Sequence, residues 1–160
     1  MEAIKGDREQ EILQLVTFHV GAEEFGVHIL EVREINRMME ITRVPHAPAF
    51  VEGVINLRGQ VIAVVDARSR FGLAARERGK STRIVVVELP GKVVGFLVDS
   101  VSEVLRVSSS LVEPPPALAG GIDSAYICGV VKREDRLLIL LDLQQLLSRG
   151  EARELDELRA

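Results

Sequence analysis

The sequence predicts a mainly β chain built from two similar small β units, and three observations carry that prediction. Short β-branched runs bounded by turn residues recur along most of the length. The pattern breaks at a polar link and then restarts. The second set of runs can be laid over the first, residue by residue.

Taken in order, strand-like runs fall at 12–20 (ILQLVTFHV), 25–29 (FGVHI), 40–44 (EITRV), 53–57 (GVINL) and 60–66 (QVIAVVD). The charged link AARERGKST at 74–82 marks a boundary. Runs then follow at 83–89 (RIVVVEL), 92–104 (KVVGFLVDSVSEV), 126–131 (YICGVV) and 136–142 (RLLILLD). Pro90-Gly91 is the central pair expected of a type II turn. Asp66 and Asp142 each end a strand and precede a short helical pattern, ARSRFG and LQQLLS, where a carboxylate can cap the first backbone N–H groups.

At an offset of 69, Val16 meets Val85, Gly26 meets Gly95, Val32 meets Val101, Glu34 meets Glu103, Arg37 meets Arg106 and Pro45 meets Pro114. The offset then becomes 76, an insertion of seven residues around ALAGGID, and Gly53, Val54, Val64 and Asp66 fall on Gly129, Val130, Leu140 and Asp142. Such self-similarity predicts two packed subdomains. Each half has roughly 60 residues, a size that buries only about 60% of its chain surface, so the halves are expected to lean on each other. Gly26 and Gly95, inside strands, predict a bulge or a close backbone approach.

Composition excludes several functions. Apolar residues make up 47% of the 160, aromatics only 4%, and the net charge is −4. A base-stacking surface and the basic footprint of a nucleic-acid binder are both missing. No apolar run reaches the ~18 residues of a membrane span. The polar start MEAIKGDREQE has no signal-peptide core. A cytoplasmic protein with no direct membrane insertion is expected. Cys128 is the single cysteine, so an internal disulfide and a CxxC metal site are excluded, and its run reads as a core strand. His19, His28 and His46 lack any second ligand at metal spacing. Ser69, Ser81 and Ser108 to Ser110 lack a nucleophile elbow, and Gly120-Gly121 is not a phosphate loop. No catalytic residue, metal or cofactor is expected. An enzyme on a double β-barrel would need a convergent polar cleft that the sequence does not show.

Three segments remain. EPPPALAGG reads as a stiff surface connector, or as a polyproline segment for a partner. SRGEARELDELRA reads as a solvated amphipathic tail. RMMEI at 37–41 places two methionines among charges, which suits either core packing or an adaptable binding patch.

Asn56-Leu57-Arg58-Gly59 is the most informative stretch. Its counterpart in the second half is Lys132-Arg133-Glu134-Asp135, so the hairpin does not require NLRG. Gly59 has a conformational reason, a positive φ that Asp135 can partly tolerate. Leu57 and Arg58 have none from the turn alone. Arg58 offers a permanently charged fork for a carboxylate, either Glu34 or Glu52 internally, or one on a partner.

The run FGVHILEVREINRMMEITRVPHAPAFVEGVINLRGQVIAVVDARSRFG strongly resembles the CheW family of bacterial chemotaxis coupling proteins. VGFLVDSVSEVLRV and GVVKREDRLLILLDLQQLL in the second half are also similar to it, so the resemblance covers roughly 12–149. It implies one CheW-like domain made of two SH3-like five-stranded β-barrel subdomains, 12–73 and 82–149, with a groove between them and polar tails at 1–11 and 150–160. It implies a non-catalytic adaptor that bridges the cytoplasmic tips of methyl-accepting chemoreceptors to the CheA histidine kinase, whose regulatory domain shares the fold and alternates with the adaptor in rings. By motif, receptor coupling would fall to Val32, Glu34, Gly53 and Arg58. Kinase contact is assigned to Met38, Met39 and Ile41 from the patch argument. The chain's short tails favour a standalone adaptor over a kinase or receiver fusion. An output other than swimming, such as surface motility, would use the same module.

Overall fold

The computed structural model describes residues 11–74, 77–115 and 126–146. They form ten strands: β1 (Ile12–Val20), β2 (Glu23–His28), β3 (Val32–Arg37), β4 (Val51–Leu57), β5 (Gln60–Asp66), β6 (Arg83–Leu89), β7 (Lys92–Val98), β8 (Ser100–Ser108), β9 (Ile127–Arg133) and β10 (Arg136–Leu141). Two four-residue helices, α1 (Ala67–Arg70) and α2 (Leu143–Leu146), follow β5 and β10. The tails, the ALAGGID insertion and the amphipathic tail helix expected from sequence lie outside the described residues.

Two five-stranded sheets are present, but they are not the two halves of the sequence. One sheet runs β8-β1-β2-β10-β9 and the other β3-β6-β7-β5-β4. Each takes two strands from one half and three from the other. The division into barrels at 12–73 and 82–149 is therefore corrected: the chain changes sheets after β2, through a 3₁₀ turn at Ile29–Glu31, and again after β7 at Asp99. Hydrophobic patterning records how deeply a strand is buried, not which strand lies beside it.

The repeat itself is sound and extends to local detail. The register slips at Arg33 on β3 and at the matching Ser102 on β8. It slips again at Glu52 on β4 and at the matching Cys128 on β9. Such bulges leave one residue without a cross-strand partner. Cys128 is consequently exposed rather than a core residue as its run suggested. Beside the Ser102 slip, buried Thr17 binds the backbone of its cross-strand neighbour: its hydroxyl donates to the Glu103 carbonyl (3.2 Å) and accepts from the Glu103 N–H (3.3 Å).

Alternation along the strands sends side chains to two destinations. On β6, Ile84 and Val86 fill one barrel with Ile55, Leu57, Ile62 and Val64, while Val85, Val87 and Leu89 face a larger core shared by both sheets. On β1, Leu15 joins Val107, Val131, Leu138 and Leu140 inside the other barrel, and Val16, Phe18 and Val20 face the shared core. Full burial of such side chains is worth roughly 1.5–3 kcal/mol each. Gly26 and Gly95 point into the two barrels, where a Cβ would come within 3.2 Å of Leu140 and 2.9 Å of Ile84.

Each barrel closes at a seam between its edge strands. Thr42, just past β3, exchanges two backbone hydrogen bonds of 2.9 Å with Val54 on β4. Glu113, just past β8, does the same with Val130 on β9, at 2.8 and 2.9 Å. The strand expected at 40–44 is only this bridge. The strand the sequence hid is β3, whose residues alternate exposed Arg33, Ile35 and Arg37 with half-buried Val32, Glu34 and Asn36. Charged side chains on an edge strand mask its periodicity. The run at 92–104 is likewise two strands, β7 and β8, meeting at Asp99. Both capping aspartates behave as expected: Asp66 accepts from the Arg68 N–H, and Asp142 from those of Gln144 and Gln145.

Arg70 ties the halves together. Its guanidinium lies 4.6 Å from the Tyr126 ring centre and 5.6 Å from that of Phe50, and donates to the Tyr126 hydroxyl and the Leu146 carbonyl at 2.7 Å each. Phe50 and Tyr126 are themselves repeat counterparts at offset 76.

Two stability predictions follow from the seam and from Arg70. Gly53 has φ +156°, and a Cβ there would sit 2.3 Å from the Thr42 carbonyl oxygen. Gly53→Ala should cost roughly 3 kcal/mol, from strain and overpacking together. Gly59→Ala, where φ is +86° but nothing lies within 4 Å, should cost roughly 1 kcal/mol. Thermal melts that rank the two equally would refute the seam argument. Arg70→Met, which keeps the apolar stem, should cost roughly 2 kcal/mol; an unchanged denaturant midpoint would show the clamp to be idle.

Candidate functional site

The β4–β5 hairpin turns on two residues, Arg58 and Gly59, with φ +53° and +86°. These are the φ values of a type I′ turn, which matches the twist of the flanking strands. Asn56 supports the turn by accepting from the Gly59 N–H at 2.8 Å. Positive φ thus falls on Arg58 as well as Gly59. In the second half it falls on Glu134 (φ +52°), not on Asp135 as expected from sequence. A bulky residue in this region is uncommon. Leu57, left without a reason by the sequence, is simply core: it is buried inside the barrel.

Arg58 reaches across the seam to Glu34 on β3. The contact is bidentate, with Nη1 donating to Oε1 at 3.2 Å and Nη2 donating to Oε2. Of the two carboxylates considered for Arg58, Glu34 is therefore the partner, and Glu52 pairs instead with Arg78. The Arg58 side chain is 65% exposed and that of Glu34 23%. The hydrogen bonds from Arg58 hold the Glu34 carboxyl below its ordinary range, overcoming the opposing effect of desolvation. The contribution is full above the ordinary glutamate range and disappears as pH falls through the lowered value. Arg33 makes a second contact over the same gap, to Gln60 Oε1 at 3.3 Å.

Glu34, Gly53 and Arg58 thus lie along one line, the seam where this barrel closes. A backbone pair shuts one end beside Gly53, and a charged side-chain pair shuts the other. Gly53 and Arg58 do not touch, being five residues apart on one strand, about 17 Å. Val32 sits on the opposite face of β3 from Glu34 and packs half-buried against the shared core.

The other barrel shows what this arrangement owes to the fold. Gly129 holds the matching place, with a Cβ position 2.5 Å from Val112. Glu103 crosses its seam to Arg133, one residue before the tip, at 3.4 Å. Seam glycine and seam carboxylate therefore recur in both halves. An exposed arginine at the hairpin tip does not: Glu134 stands there instead.

Met38, Met39 and Ile41 are half-buried and pack on the barrel core of Leu57, Ile62 and Val64. Much of their apolar surface is spent there, which favours the core side of the two readings left open by the sequence. Among the described residues no group of histidine, cysteine and carboxylate side chains is arranged to hold a metal, and no helix is long and apolar enough to cross a membrane.

The model of the CheW-like domain matches residues 14–151 of the chain. The chain is 41% identical to the chemotaxis protein CheW of Rhizobium meliloti, over 83% of this chain and 86% of that one. It is 36% identical to the probable chemotaxis protein CheW of Rhizobium etli, over 92% of each. Among solved structures, the scaffolding protein TtCheW from Thermoanaerobacter tengcongensis superposes with a TM-score of 0.81 at 36% identity, covering 88% of this chain and 96% of that one. The interleaved pair of five-stranded sheets with its NLRG hairpin belongs to a member of the CheW family, a family of non-catalytic chemotaxis scaffolds.

Proposed function

We propose that this protein couples methyl-accepting chemoreceptors to a CheA-type histidine kinase, acting in the cytoplasm and joining membrane receptor arrays through its partners. Family membership supports the adaptor reading. One observation supports the location of the receptor-coupling surface on the seam. The two hairpin tips share a positive φ, at Arg58 and at Glu134, but only the first carries an exposed arginine held by the seam carboxylate, Glu34. Val32, Glu34, Gly53 and Arg58 belong to this surface in different ways: Arg58 as the exposed donor, Glu34 as its positioner, Gly53 as the residue that lets the seam close, and Val32 as the apolar base of β3. Met38, Met39 and Ile41 act beneath the kinase-facing side as packing rather than as direct anchors.

Such an adaptor works by geometry. Two partner surfaces on one rigid body convert a second encounter into an intramolecular one and raise the mutual effective concentration of receptor and kinase. A strand-exchanged core suits that role, because neither surface can move without the other.

The test is receptor-dependent autophosphorylation of the cognate kinase, with and without this protein. Wild type should raise activity. Arg58→Ala and Arg58→Gly should both lose most of the stimulation, although glycine relieves the positive φ and should melt higher than alanine. Glu34→Gln should weaken it less, because Arg58 stays but loses its positioner. Glu134→Ala, at the matching tip, should stimulate like wild type. Stimulation that survives in both Arg58 variants returns the hairpin to a purely structural part. No stimulation by wild type, with no binding to either partner, removes the adaptor reading.

A further inference from the structure

The β7–β8 connection prevents the second half from closing a barrel by itself. β7 ends at Val98 opposite Arg83, and Asp99 is the single residue before β8 begins at Ser100. The edge place beside β6, filled by β3, starts opposite Val87, four residues further along β6 or about 13 Å. Two Cα steps cover less than about 8 Å, so β8 must leave for another sheet. β6 and β7 therefore need three strands from elsewhere. The first half of the same chain can supply them, and so can the second half of another copy, which would leave the first halves to pair with each other.

The two barrels differ where that choice is made. Glu24 on β2 is only 5% exposed and stands two residues from Gly26, on the same inward strand face. Its Oε1 lies 3.8 Å from Arg133 Nη1 and 4.0 Å from Arg136 Nη1. Glu24 Oε1 and Arg133 Nη1 are both buried, and neither forms a hydrogen bond. Val93, Leu57 and Gln60 hold the matching places in the other barrel, where Val93 and Leu57 are buried in one apolar cluster. Carboxylate and arginine thus change together to two aliphatic side chains. These contacts join unlike halves, because β2 belongs to the first and β9 and β10 to the second. Glu34–Arg58 and Glu103–Arg133 each lie within one half and would form in either arrangement.

We propose that Glu24, with Arg133 and Arg136, is a pairing lock that makes each half take the unlike half and reject the like half of a second copy. A buried ion pair this loose adds little stability, because desolvation offsets the attraction, yet removing one partner is costly. That asymmetry serves selection. Between two first halves, Glu24 would be buried against Leu57 and Gln60, while Arg58 at the tip is already engaged by Glu34. A buried carboxylate without a cation disfavours that arrangement. Among unlike halves, the covalent link then favours those of one chain through effective concentration.

The full chain, unfolded in denaturant and refolded at about 5 µM and about 100 µM, tests this by light scattering after size exclusion. Wild type should be monomeric at both concentrations. Glu24→Val with Arg133→Leu copies the apolar pair into the second barrel. This double variant should melt within about 2 °C of wild type or higher, yet its dimer fraction at the higher concentration should rise about tenfold. Adding Val93→Glu and Leu57→Arg moves the lock to the other barrel and should restore the monomer. Arg133→Leu alone strands Glu24 and should lower the melting temperature by about 5 °C or more. Glu24→Val alone, with Arg133 still on Glu103, should give an intermediate dimer fraction, which decides the matter if the fourfold variant does not fold. A double variant that stays monomeric overturns the lock, and so does a dimer that persists once the lock is moved. A double variant melting far below wild type makes the pair a stabiliser instead, and a wild type that dimerises as readily removes the selection altogether.

Discussion

Neither barrel can be completed from one half of the chain. β1 and β2 lie in the sheet that β8, β9 and β10 finish, and β6 and β7 lie in the sheet that β3, β4 and β5 finish. The shared core runs across the join, with Phe18 and Phe25 from one sheet in the same cluster as Val85 and Phe96 from the other. Pulling the halves apart would open both barrels and this core at once. A half of roughly 60 residues is marginal alone; exchange removes the marginal unit by never forming it. Arg70 between Phe50 and Tyr126, and Asp99 held by Arg68 and the Gly21 N–H, then tie residues of the two sequence halves to each other.

Exchange also leaves each barrel with a seam, because its edge strands come from one half and must meet after a connector. Backbone pairing closes one end beside a glycine, because a Cβ at Gly53 would meet the Thr42 carbonyl at 2.3 Å and one at Gly129 would meet the Val112 side chain at 2.5 Å. Side chains close the other end. A carboxylate on the edge strand and an arginine on the facing hairpin achieve this in both barrels, at Glu34–Arg58 and Glu103–Arg133. The two solutions differ in one respect that matters for partners. Arg133 sits before its tip and is mostly covered by Glu24 and Glu103, whereas Arg58 occupies the tip itself and stays exposed.

Much of this was legible in the residues. The offsets of 69 and 76 predicted symmetry that reaches the bulges, caps and seam glycines. Glu34 is one of the two internal carboxylates the sequence offers Arg58, and the mismatch between NLRG and KRED singles out Leu57 and Arg58. What was not legible has physical causes. On β3 the two apolar residues, Val32 and Ile35, stand three apart, one half-buried and one exposed, so no period-2 hydrophobic pattern marks the strand. Cys128 looks buried among Ile127, Gly129 and Val130, and a bulge turns it outward. The positive φ was assigned to the second tip residue, because Asp tolerates that region better than Glu, yet Glu134 takes it. Strand exchange leaves no periodic signature, since β1 and β2 would be equally apolar in either sheet.

The repeat also sharpens what a loss-of-function substitution means here. A residue present in both barrels is accounted for by closure, and its replacement perturbs any surface built on the seam, whichever partner is bound. Gly53 is such a residue, and Glu34 is partly one. A residue present in one barrel only has no such account. The positive φ of Arg58 recurs at Glu134, so it is the exposed arginine side chain, not the backbone strain, that closure leaves without an account; the pairing of Arg83 with Arg37 is likewise particular to one barrel. Both lie on the same barrel and border the same edge strand, while their counterparts Glu134 and Gln14 show that the fold is satisfied without them.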